Sequence, residues 1–268
     1  MPSAIMNGDQ FSYWYISLFL ILIGIAGLIA SRYLNLLRCN FWLELRDPVA
    51  GPRLRAVLDR REPVESLGRK PILISSVSYL FFGVICLAHI VTPAVAYALA
   101  CADVALTFAW MYARVRNRSQ RRAASLAPRR QSSVVPPLAF VGALVVAAVP
   151  LLFVADASLR FSALIVSLAS LLIIVSAWSI AGMAAVLTGD DADFEVYVDD
   201  RIRRIRVGSM LTFAYAVVPV FIAVVTREAA DLPVYDYAFY VSMGLAVAFL
   251  GWYAIDYMRG RAPRADGA

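Results

Sequence analysis

The chain has 268 residues, 61% of them apolar and only 16% charged, with a mean hydropathy of +0.71. A soluble domain carries nearer a quarter charged residues. The net charge of +6 invites a nucleic-acid reading, but basic residues confined to particular loops between apolar runs are the mark of a membrane protein, so nucleic acid is set aside as a partner.

Seven apolar runs of about 20 residues, the length that crosses roughly 30 Å of hydrocarbon, predict seven spans. They cover 12–31, 71–91, 93–113, 135–155, 159–187, 207–226 and 236–258. The expected fold is an all-α polytopic transmembrane bundle, residues 1–268 forming one membrane domain. The N-terminus (MPSAIMNGDQFSYWY) has no basic leader, so the first run is expected to remain as a span. Tyr13, Trp14 and Tyr15 mark its outer edge, where amphipathic rings favour the headgroup level. In 33–46, Leu34, Leu37, Phe41 and Leu45 share a helical face beside Trp42, which predicts a helix lying in the interface.

Spans two and three are separated only by Val91, Thr92 and Pro93, which predicts a tight hairpin. Asp103 is the one acidic residue deep within a span, roughly 16 Å along the helix from that turn and hence near the midplane. An ionisable group at that depth is expensive and should face the bundle interior. Ala96, Ala100 and Thr107 share its face and would let another helix approach. Ser75, Ser78, Tyr79, Cys86 and His89 form a stripe on span two, with Ser78 and Tyr79 at the depth of Asp103. Two readings follow: a cation or proton site built from Asp103, Tyr79, Ser78, Ser75 and His89, or a neutral hydrogen-bonded Asp103 that fixes helix packing. His89, the chain's single histidine, cannot build a multi-histidine metal or haem site.

The segment 115–134 (VRNRSQRRAASLAPRRQSSV) has no acidic residue and reads as a flexible basic linker. Anionic lipid near Arg114–Arg130 is its expected partner. The fifth run, 29 residues or about 43 Å as a helix, should tilt or project beyond the bilayer.

Before span six, Phe194, Val198, Ile202 and Ile205 form a helical stripe in 191–206. Acidic residues crowd its start and Arg201, Arg203, Arg204 and Arg206 its end, an order that suits the helix dipole. Asp199–Arg203 and Asp200–Arg204 are acid-first i,i+4 pairs. This helix should run into span six as far as a kink near Pro219. Asp190, Asp191, Asp193 and Glu195 resemble the start of a calcium loop. Val196 stands where the loop needs glycine and Ile202 where it needs glutamate, so a helix start explains the run better than a metal site, and no cofactor is expected.

Basic residues set the orientation. Segments 31–70, 114–134, 188–206 and the C-terminal tail carry nine, seven, four and three, so 23 of 25 fall on one side, with only Arg160 and Arg227 on the other. That side should be cytoplasmic, the N-terminus outside, and the membrane that of a bacterial cell. A faint echo between 12–118 and 159–261 (Asp59-Arg60 against Asp200-Arg201, Trp110 against Trp252) raises the idea of parallel repeats joined by span four.

Cys39, Cys86 and Cys101 show no paired spacing, and Lys70, the single lysine, lies outside the spans, which excludes a retinal Schiff base. Three function classes remain: a small transporter or channel subunit using Asp103; a non-catalytic sensor, scaffold or complex subunit; and an enzyme on lipid-borne substrate. A homo-oligomer or a membrane-protein partner fits any of them.

Overall fold

The computed structural model describes residues 8–33, 44–48, 50–65, 69–122, 135–153, 157, 159–183, 192–225 and 233–259. Among these, all regular structure is helical: α1 (Gly8–Tyr33), α2 (Ala50–Glu65), α3 (Arg69–Leu87), α4 (Pro93–Arg122), α5 (Pro137–Ala148), α6 (Arg160–Ala181), α7 (Ala192–Val225) and α8 (Pro233–Arg259). Two short 3-10 helices, Glu44–Arg46 and Val149–Phe153, complete the set.

Burial is distributed as a bilayer requires. Leu18, Ile74, Phe81, Leu106 and Leu168 are 56–63% exposed, whereas Ser17, Ser76, Ser162, Ser167 and Ser170 are at most 3% exposed. Water would favour the reverse, because apolar area is driven inward and an unpaired hydroxyl is costly to bury. Exposed leucine over a small-residue interior is how helices pack in hydrocarbon. Four stretches are long and apolar enough to cross a membrane: Pro93–Ala113, Arg160–Ala181, Glu195–Val225 and Tyr237–Ala254. Three shorter apolar stretches, Tyr13–Ile29, Ile72–Leu87 and Pro137–Phe153, coincide with the other three expected runs. The chain is a membrane-embedded helical bundle.

Close approach holds the first helices together. A Cβ on Gly24 of α1 would stand 2.8 Å from Leu80 Cγ of α3, and one on Gly83 of α3 only 2.7 Å from Ile21 Cγ1 and 3.0 Å from the Ser17 carbonyl. Helix α6 sits at the centre, against α4, α5 and α7. Phe153 and Phe221 meet edge-on between the 3-10 turn and α7, their ring centroids 5.9 Å apart. Helix α8 is peripheral: 17% of its apolar stretch is buried, against 67% for α7.

Several boundaries differ from expectation. The fourth run is helical only to Ala148 and then tightens, Val149 N–H turning back to the Val146 carbonyl. Pro150 accounts for this, since it brings no N–H to continue an α ladder. The fifth run is not 29 residues of helix. It ends at Ala181, where Gly182 closes the last turn on Trp178 and Ile180, so the 22 residues of α6 match a bilayer without projecting. In contrast, α4 continues through Arg122, so the first part of the supposed linker is helical. Arginine, glutamine and alanine are good helix formers, and no proline intervenes before Pro128. Residues 123–134 lie outside the described residues. The stripe in 191–206 does run on into the sixth span as one helix, and α7 continues beyond Pro219 to Val225.

A second, smaller hydrophobic cluster stands apart from the bundle core. Leu54, Val57 and Leu58 of α2 pack on Val198 and Ile202 of α7, with Leu45 and Tyr197 against them. Leu45 therefore faces this cluster rather than lipid, and it lies in a 3-10 turn; residues 34–43 of the expected interfacial helix lie outside the described residues. Arg55 Nη2 donates to the Leu45 carbonyl at 3.4 Å, closing the 3-10 turn onto α2.

Candidate functional site

The α3–α4 hairpin positions the candidate residues. Its turn is a Schellman cap: Ile90 N–H donates to the Ile85 carbonyl at 3.0 Å and His89 N–H to the Cys86 carbonyl at 2.9 Å. His89 occupies the left-handed position of that cap, with φ 56°, where glycine is the usual residue. Its ring lies on Tyr13 of α1, centroids 4.2 Å apart. His89 is thus exposed at the turn, about eight residues of helix beyond Tyr79, and does not join a site with Asp103.

The other candidates converge. Ser75 is buried on α3, and its hydroxyl is 2.7 Å from that of Thr107 on α4. Asp103 stands one turn from Thr107 on the same helix and is half-buried. Its Oδ2 is buried and has no hydrogen-bond partner among the described residues. Tyr79, one turn on from Ser75 along α3, is half-buried. Ser78 is half-buried beside Tyr79 on α3. Ala96 and Ala100, on the face expected to admit a neighbouring helix, are fully buried.

Next to this group lies a cavity of about 110 Å³, walled by Phe19, Leu20 and Ile23 of α1, Tyr79 of α3, Tyr97, Ala100 and Cys101 of α4, and Phe213, Ala216, Val217 and Val220 of α7. Tyr97 Oη donates to the Val217 carbonyl at 2.9 Å. Sequence reading passed over Tyr97 and Phe213. The signal was there in Tyr97 and Cys101 at i,i+4 on α4, a face adjacent to that of Asp103. Asp103 is not a wall residue of the cavity, whereas Tyr79 is.

The acidic run falls differently. Asp190 and Asp191 lie outside the described residues, and Asp193 is within the first turn of α7. Glu195 is fully buried, so it points into the protein and not toward a solvated ion. Arg203, only 6% exposed, donates Nη2 to Asp199 Oδ2 at 2.6 Å, as the i,i+4 spacing predicts. Its Nη1 also donates to the Met183 carbonyl just past the end of α6. That second bond was not legible in the sequence. It ties α7 to the residue that follows the end of α6, besides pairing Arg203 with Asp199.

No protein-family model, no curated protein and no solved structure matches this chain.

Proposed function

We propose that this is a seven-span integral membrane protein, N-terminus outside and C-terminus cytoplasmic, that passes a proton or small cation through a site at Asp103. The observation that carries this is the buried Oδ2 of Asp103, which no described group satisfies. A neutral packing device would be expected to use both carboxyl oxygens, because an unmade hydrogen bond in a buried place costs about 1–3 kcal/mol. An oxygen left open one helical turn from the Ser75–Thr107 hydroxyl pair is a place for a proton or a cation to rest. Seven spans are supported by four full-length apolar helices and three shorter ones, and the orientation by 23 basic residues on one side. The repeat reading gains support from pairing order, α1 on α3 and α3 on α4 in one block, α6 on α7 and α7 on α8 in the other. Anionic lipid of a bacterial cell membrane near Arg114–Arg130 is the partner this orientation implies.

Asp103→Asn keeps shape and removes charge. In proteoliposomes with an imposed cation or proton gradient, the variant is expected to fold and to lose flux. Flux equal to that of the parent protein would sink the transport reading.

A second reading has its own observation. The α2–α7 cluster outside the bundle core, with Glu195, Arg201 and Arg203 buried around it, is a small folded platform on the side assigned to the cytoplasm. A sensor or scaffold subunit would dock a protein there. Its mark would be normal flux in Asp103→Asn together with capture of the same partner by parent and variant.

A further inference from the structure

The cavity is graded from rim to floor. Ile23 of α1 is 37% exposed and Ala216 of α7 is exposed, while Leu20, Ala100, Cys101 and Val217 at the floor are at most 2% exposed. It is a cleft that opens sideways between α1 and α7. Its mouth is continuous with the exposed leucine and isoleucine of α1, including Leu18, Leu22 and Ile25. On a membrane-embedded chain that surface meets hydrocarbon, so the phase at the mouth is lipid tail, not water.

The floor excludes most other occupants. Tyr97 Oη already donates to the Val217 carbonyl, and apart from Tyr97, Cys101 and Tyr79 the lining is apolar, so a polar ligand finds little to bind. A volume of about 110 Å³ is far too small for a neighbouring helix, whose axis must stand 8–10 Å away with a whole face engaged. An apolar cavity of about 150 Å³ stays dry and holds a benzene-sized hydrocarbon. The cleft therefore accepts a short stretch of alkyl chain and no headgroup.

We propose that this cleft binds one acyl chain of a bilayer lipid, entering laterally between Ile23 and Ala216. Tyr79 stands in the wall, so an inserted chain packs against its ring. Chain binding rests on membrane embedding alone; it holds whether or not Asp103 carries an ion.

The test uses the full chain in phosphatidylcholine liposomes containing a trace of phosphatidylcholine with a terminal diazirine on one acyl chain. After illumination, labelled peptides are mapped by mass spectrometry. Label is expected on Tyr79, Cys101 or Phe213 in excess of that on Leu168, which is 63% exposed on the outward face of α6 and serves as the measure of bulk lipid contact. Ala216→Phe narrows the mouth at an exposed position, and Val220→Phe does so one turn deeper. Either variant, shown to be folded by its size-exclusion profile, is expected to lose the excess while labelling at Leu168 stays unchanged. Label that simply follows surface exposure, or an excess that survives a folded variant, would overturn the proposal. Flux measured on the same liposomes keeps the two readings apart, since loss of labelling with normal flux, or the converse, implicates only one of them.

Discussion

Tyr97 Oη reaches across from α4 to the Val217 carbonyl at 2.9 Å, two residues before Pro219. Proline brings no N–H, so the Tyr215 carbonyl one turn earlier loses its intrahelical donor and α7 is weakened locally. The tyrosine braces that weakened stretch from outside. Tyr97→Phe keeps the ring in the cleft wall and removes only the bond. A loss of about 0.5–1.5 kcal/mol is expected by chemical or thermal unfolding in detergent. A change indistinguishable from zero would mean that the bond does not brace the helix.

Ser75 and Thr107 allow a cleaner measurement. Their hydroxyls are 2.7 Å apart and belong to different helices. Ser75→Ala and Thr107→Val each leave one hydroxyl with its bond unmade, and the double variant removes both. The coupling energy from the cycle should be about 0.6 kcal/mol, the average for side-chain bonds between membrane helices. Strict additivity would show that the pair contributes nothing to holding α3 on α4.

How much of this was legible in the sequence depends on the kind of information each feature needs. The apolar runs were legible because bilayer thickness fixes a length, and each coincides with an apolar helical stretch. The Asp199–Arg203 pair was legible because i,i+4 spacing is local. Ser78 and Tyr79 were expected near the depth of Asp103 because a short turn limits the register of a hairpin. The rest required knowing which helices touch. The stripe Val198 and Ile202 was visible, but not that Leu54, Val57 and Leu58 of α2 would cover it. Leu45 looked lipid-facing because its pattern was read without that partner. Nor could spacing show that Arg203 of α7 bonds the Met183 carbonyl after α6, a contact across 20 residues.

Arg203 accordingly carries two bonds in different directions, one from each Nη of its guanidinium fork. Arg203→Lys preserves charge and loses one of them. It should destabilise measurably more than Asp199→Ala, which removes one partner and leaves the bond to Met183 intact. Equal losses in the two variants would reduce Arg203 to a simple ion-pair partner.

His89 sits where glycine would be comfortable, and the left-handed conformation costs an ordinary residue about 1–2 kcal/mol. Histidine tolerates it better than most, and its ring gains contact with Tyr13. His89→Gly relieves the backbone and forfeits the ring contact, so stability should change little or rise. His89→Val adds a branched side chain that the conformation resists and should lower stability by 1 kcal/mol or about that. Stability that falls equally in both variants would assign the effect to the ring on Tyr13 and not to the cap.

The glycines give the sharpest contrast. A Cβ at Gly83 meets Ile21 Cγ1 at 2.7 Å and the Ser17 backbone carbonyl at 3.0 Å, and the carbonyl cannot swing aside as a side-chain tip can. Gly83→Ala should therefore push α1 from α3 and cost about 1–3 kcal/mol, the range for overpacking a tight contact. Gly244 and Gly251 of α8 are equally glycine, yet nothing lies within 4 Å of a Cβ at either. Alanine there adds no clash and removes the entropy penalty of glycine in a helix, a gain of up to about 1 kcal/mol. The same substitution is thus expected to act with opposite sign at the two places, read as a melting temperature in one detergent. If Gly244→Ala lowered stability as Gly83→Ala does, α8 would have to be closely packed against something other than lipid tails in the preparation, and the α1–α3 contact would no longer be distinguished by its tightness.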